Sequence, residues 1–150
     1  MSRQPYPHGW DVTWLAADKE GRIGVFVTAG SGPIPEIVLT SLEQERFEDI
    51  EARIVTLPTI TSARLLVPVK RPDDYLGFAW RGLFAYDWSD VHRTQGYRHA
   101  YELLAAPERP LGVAELPPDI VELLAGVVLD TSFGHEPEVH RDLIPNAVTE

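Results

Sequence analysis

Asp87-Trp88-Ser89-Asp90-Val91-His92 places two carboxylates and an imidazole within six residues. Such a group can move protons or hold a divalent cation. A small hydrolytic or metal-dependent enzyme built on Asp87, Asp90 and His92 is therefore one expectation. A metal also needs ligands from elsewhere, and no spacing identifies them. The competing reading is a solvated loop with turn-forming hydrogen bonds. Asp87 stands out because it closes the apolar run Leu83-Phe84-Ala85-Tyr86.

Two further groups invite chemistry and lack what it needs. Gly30-Ser31-Gly32-Pro33 precedes a helix signal, and backbone N–H groups in such a turn can bind anions. A nucleotide loop ends in Gly-Lys-Ser/Thr, whereas this one ends in Pro33-Ile34-Pro35, whose two prolines have no N–H. Ser31 is not in a nucleophile elbow, because Ala29 stands where the first glycine belongs. His135 and His140 are five apart with Pro137 between them, unlike the four-residue spacing of a zinc helix. No catalytic residue, cofactor or metal is expected.

The elements that position these residues follow from periodicity and turn chemistry. Asp11 to Asp18 and Arg22 to Thr28 flank Asp18-Lys19-Glu20-Gly21, a hairpin turn. Both faces of the second strand carry apolar groups, as expected of a central strand. Pro35 suits the first turn of a short helix from Glu36. Ser41 with Gln44 forms a capping box for a longer helix, whose apolar stripe is Phe47, Ile50 and Ile54 and whose other faces are acidic. Leu65 to Val69 reads as a strand or extended connection. Pro72-Asp73-Asp74 starts a helix that Gly82 ends. Tyr97 to Leu104 alternates as a strand, and Leu116-Pro117-Pro118-Asp119 opens a last helix with Ile120, Leu123, Leu124 and Val127 as its stripe. Thr131 to Glu150 carries weak signals, leaving an irregular strand or a mobile tail as alternatives. The fold class is α+β: a single domain over residues 1–150, with a mixed or mainly antiparallel sheet and helices packed on one side.

The chain has no cysteine, which removes disulfides and thiolate chemistry. Its longest apolar run, Leu123 to Leu129, is far short of the roughly 20 residues of a membrane span. No signal core is visible, and the expected location is the cytoplasm. A net charge of −10 opposes binding to nucleic acid or an anionic membrane and favours a basic protein partner. The competing reading is that acidity only keeps the chain soluble. Tryptophans are frequent interface anchors; Trp14 and Trp80 read as core, and Trp88, beside polar groups, as the most exposed.

The pattern Trp14-x3-Asp18-x2-Gly21-x2-Gly24-x-Phe26-x-Thr28-x-Gly30-x-Gly32-Pro33-Ile34-Pro35, with Gly82 to Trp88 and Leu116-Pro117, resembles small acidic bacterial proteins. Some of these resemble immunity proteins of polymorphic toxin loci. The resemblance implies a cytoplasmic protein that neutralises a toxin by binding it, and supplies no catalytic residues. The leading expectation is thus a noncatalytic binding protein whose acidic surface, Glu45, Glu48 and Glu51 with Asp87, Trp88 and Asp90, faces a basic partner. A homodimeric structural or regulatory domain is the remaining alternative.

Overall fold

The computed structural model describes residues 3–149. The hairpin forms as its turn chemistry dictates: β1 (Thr13–Asp18) and β2 (Ile23–Val27) pair antiparallel, with Trp14 opposite Phe26. β3 (Ile34–Pro35), α1 (Glu36–Ser41), α2 (Gln44–Glu48) and α3 (Ile50–Ile54) follow. Next come β4 (Ala63–Leu65), α4 (Asp73–Trp80), β5 (Phe84–Asp87) and β6 (Ala100–Pro107). The chain ends with α5 (Pro118–Leu123), β7 (Val128–Leu129), β8 (Glu138–His140) and β9 (Ala147–Val148). The main sheet runs β4-β6-β5-β2-β1-β7, with β8 also on β6, and β3 pairs β9 separately. β2–β5 and β1–β7 are parallel and the other pairs antiparallel, so the sheet is mixed and the class is α+β.

β2 is central, and every residue of β1, β2 and β5 is buried. Register places Trp14, Phe26 and Tyr86 side by side on three neighbouring strands. Trp14 stacks on Phe26 at 4.2 Å and Phe26 on Tyr86 at 5.0 Å. Aromatic cross-strand pairs contribute roughly 0.2–1 kcal/mol each beyond alanine. Gly24 faces the same side, and a Cβ there would lie 3.0 Å from the Phe133 ring that fills the space. α4 ends in a Schellman motif: Leu83 donates to the Phe78 carbonyl, Gly82 donates to that of Ala79, and Gly82 takes φ +90.

Several local expectations are corrected by the tertiary structure. Ser41 ends α1 rather than capping the next helix; the N-cap is Glu43, with no side-chain capping bond. Leu42 turns inward to 5% exposure and leaves the helical path between them. The expected single helix is two, divided at Asp49 (φ −96, ψ 2), although Phe47, Ile50 and Ile54 are buried as expected. Pro35 is the extended N-cap of α1, not its first turn. The Leu65–Val69 strand is shifted to Ala63–Leu65. β6 begins at Ala100 because His99 adopts φ +52, which no strand continues through. The tail forms β8 against β6 and β9 against β3. Among the described residues no helix is long and apolar enough to cross a membrane.

Candidate functional site

The two carboxylates at the end of β5 and just after it are engaged within the fold, Asp87 by a side chain and Asp90 by the backbone. Asp87 is 7% exposed and accepts a hydrogen bond from the Tyr75 hydroxyl at 3.0 Å. Burial, with Asp87 next, pushes the Tyr75 phenol far above its ordinary value. Asp90 is buried and accepts from the backbone N–H groups of Arg98 (2.9 Å) and His99 (2.8 Å), with Arg93 Nε at 3.5 Å. These bonds close the loop from Ser89 to His99 and explain how His99 is held in the left-handed region. A carboxylate so engaged holds its loop in place and is poorly placed to accept a proton from a substrate. The side chain of His92 lies outside the described residues. Trp88 is buried, contrary to expectation: its ring meets Tyr101 at 5.2 Å, and its backbone N–H donates to the Val27 carbonyl at 3.0 Å. Trp80, expected in the core, is 40% exposed.

The segment from Trp14 to Pro35 is also explained by packing. Trp14 Nε1 donates to the Tyr101 hydroxyl (3.1 Å), which donates to the Pro33 carbonyl (2.8 Å), while the Tyr6 hydroxyl donates to Gly32 (2.6 Å). Asp18 accepts from the backbone N–H groups of Glu20, Arg22 and Phe133, each at 2.9 Å. Thr28 Oγ1 accepts from Val12 and Gly30. Residues of this segment therefore hold the hairpin and the glycine-rich corner in place.

A wide depression of about 640 Å³ contains Glu20, Ser132, His135 and His140. Ser132 donates to Glu20 at 2.6 Å, the arrangement of a hydroxyl beside a base. The Ser132 bond, then that of Arg22, holds the Glu20 carboxyl below its usual range, which makes it a weak base. Among the described residues no group of three or more histidines and carboxylates has metal-binding geometry.

No family model, curated protein or solved structure matches this chain.

The surface best built for contact lies at the N-terminal segment. Gln4, Pro5, Tyr6, Pro7, His8 and Trp10 form one wall of a groove of about 340 Å³, and Gln44, Phe47 and Glu48 of α2 form the other. Trp10 is 70% exposed, whereas the buried Phe47 forms the apolar wall opposite. The first wall is pinned: Gln4 donates from its backbone to Leu39 and from its side chain to Leu42, Gly9 donates to Gly30, and Tyr6 is tied to Gly32. Its signal in the sequence is Pro5-Tyr6-Pro7-His8-Gly9-Trp10, two prolines alternating with aromatic rings. Periodicity is blind to it because it is neither helix nor strand.

The three glutamates expected to act together line different depressions. Glu48 is in the groove, hydrogen-bonded by Gln44 at 3.0 Å. Glu45 lies with Arg46, Asp49, Arg53 and Asp119. Glu51 lines a small cleft with Asp11, Asp74 and Tyr75. Arg46 is engaged by Glu122 at 2.6 Å and Arg53 by Asp49 and Asp119, so the nearby cations are already paired. Asp11 and Glu51 keep exposed surface, yet they line this cleft together with Thr13, Val27 and Phe78. Partial burial first, and then the charge of Asp74, pushes the Glu51 carboxyl above its usual range. Burial likewise raises that of Asp11, against the Ala29 N–H bond that lowers it. A carboxyl raised by folding contributes stability below its unfolded pKa and loses it as pH rises through the folded value. Glu51→Gln is accordingly expected to melt higher than the wild type near neutral pH. The two proteins are expected to melt alike at about pH 3, where both side chains are neutral. A constant difference across the titration, followed by circular dichroism, would refute this assignment.

Proposed function

We propose that the protein is a noncatalytic binding domain whose contact face joins the Trp10 groove to the acidic surface of α2 and α3. Its partner is a basic protein. The observation that carries this reading is the exposed Trp10 ring over a preformed apolar groove beside carboxylates. Aromatic anchors in preformed pockets carry a large share of interface energy, and surrounding charge speeds encounter. The resemblance of Trp14 to Pro35 to immunity-type proteins gives the reading its concrete form, a protein that neutralises a toxin by covering it. Asp87, Trp88 and Asp90 act in this reading from beneath the surface, as supports for the sheet end.

The test is capture of partners from native extract at low and moderate salt, followed by binding kinetics with the purified candidate. The combined variant Glu45→Lys, Glu48→Lys, Glu51→Lys is expected to slow association roughly tenfold or more and to remove most of its salt dependence. An association rate indifferent to both salt and charge reversal would eliminate this reading.

A further inference from the structure

We infer that the groove takes a linear segment of the partner, with one large apolar side chain seated between Trp10 and Phe47 and an arginine or lysine beside it at Glu48. This inference rests on the binding function proposed above and specifies its ligand. The groove's volume, about 340 Å³, is at the small end of ligand sites and suits one or two side chains. The backbone of one wall is held by the bonds of Gln4, Tyr6 and Gly9 and the other wall by burial of Phe47, so the ordering left for binding falls mainly on the exposed Trp10 side chain.

Strand addition is not the mode of recognition. Pro5 and Pro7 have no N–H, and those of Gln4, His8, Gly9 and Trp10 already donate within the chain, to Leu39, Tyr6, Gly30 and Pro7. A ligand must therefore be held by side chains. The apolar wall calls for an apolar or aromatic group. Glu48 has no ion-pair partner among the described residues, and its bond from Gln44 is neutral. A guanidinium or ammonium there gains a carboxylate, and can also lie over the Trp10 face. A second copy of the chain is a poor occupant, because it brings a net charge of −10 against the same acidic rim.

The test uses purified protein and fluorescein-labelled peptides in which Trp, Phe, Leu or Gly is flanked by arginines, with a matched set flanked by glutamates. Binding is followed by anisotropy and by the indole signal of Trp10 in NMR spectra. The arginine peptides with Trp, Phe or Leu are expected to bind and to shift that signal, while the Gly and glutamate peptides do not. Trp10→Ala is expected to raise Kd about tenfold, and Glu48→Gln about threefold. Trp10 is exposed enough that its loss leaves the fold intact, which the melting curve verifies. Equal binding of Gly and Trp peptides would mean charge alone and would overturn the inference. So would the absence of binding by every peptide, or self-association that Trp10→Ala abolishes. If the peptides fail while a folded basic partner binds with sensitivity to Trp10, only the linear-segment inference falls. If that partner is also indifferent to Trp10 and to charge reversal, the binding function falls with it.

Discussion

Gly32→Ala is expected to lower the melting temperature by roughly 6–12 °C, the equivalent of about 3 kcal/mol for a domain of this size. A Cβ at this position would lie 2.5 Å from the Tyr101 hydroxyl oxygen and 2.9 Å from both Tyr101 Cζ and Trp88 Cβ. None of these atoms ends a flexible chain. Tyr101 is fully buried, and its hydroxyl receives the Trp14 indole N–H while donating to Pro33. Moving the ring strands the indole donor and the carbonyl at once. Tyr101→Phe separates this effect from crowding, since it removes only the hydroxyl; a loss of about 2 kcal/mol is expected from the unsatisfied groups. Gly77→Ala supplies the opposite sign. That glycine lies inside α4, with Arg81 Nη1 at 3.6 Å as its nearest contact, and alanine there is expected to add about 0.5–1 kcal/mol. Thermal unfolding of the three variants tests the argument. A Gly32→Ala protein melting with the wild type would show that the corner has slack that the geometry denies.

Asp18→Asn is expected to be comparably damaging, at about 3 kcal/mol, although it preserves shape. The side chain is fully buried and receives three backbone donors, Glu20 and Arg22 on Oδ1 and Phe133 on Oδ2. An amide offers one acceptor oxygen. Keeping it on the hairpin turn points NH2 at the Phe133 N–H, leaving two donors face to face. The damage should therefore be uneven. Hydrogen exchange at Phe133 is expected to accelerate more than at the hairpin amides of Glu20 and Arg22. Uniform acceleration across all three would indicate global destabilisation and remove the argument for a directed bond.

What could be read from the sequence was what local chemistry decides. The hairpin at Asp18 to Gly21 follows from its turn residues, the end of α4 from Gly82, and the start of α5 from Pro117 and Pro118. Each depends on neighbours within a few positions. Trp80 and Trp88 exchanged their expected burial because exposure depends on which distant residue covers a ring; Tyr101, far along the chain, covers Trp88. The start of β6 was hidden for the same reason, since the carboxylate of Asp90 fixes the conformation of His99. The weak pattern after Thr131 concealed β8 and β9, strands of three and two residues that exist through their partners. The acidic helices were legible as amphipathic, but the distribution of their glutamates among separate depressions was not, because the other residues lining each depression come from distant parts of the chain. Trp10 was visible only as one aromatic among several.

The bond from Phe133 to Asp18 spans 115 positions, and β1 also waits for β7 to complete its outer side. During synthesis the first hairpin emerges long before either partner. At ordinary elongation rates the interval is on the order of ten seconds. For that time the ribosome carries an apolar ribbon with an open margin, and an early stop before Val128 leaves that margin open for good. The oldest strands of the chain thus receive their outer partners only late in synthesis.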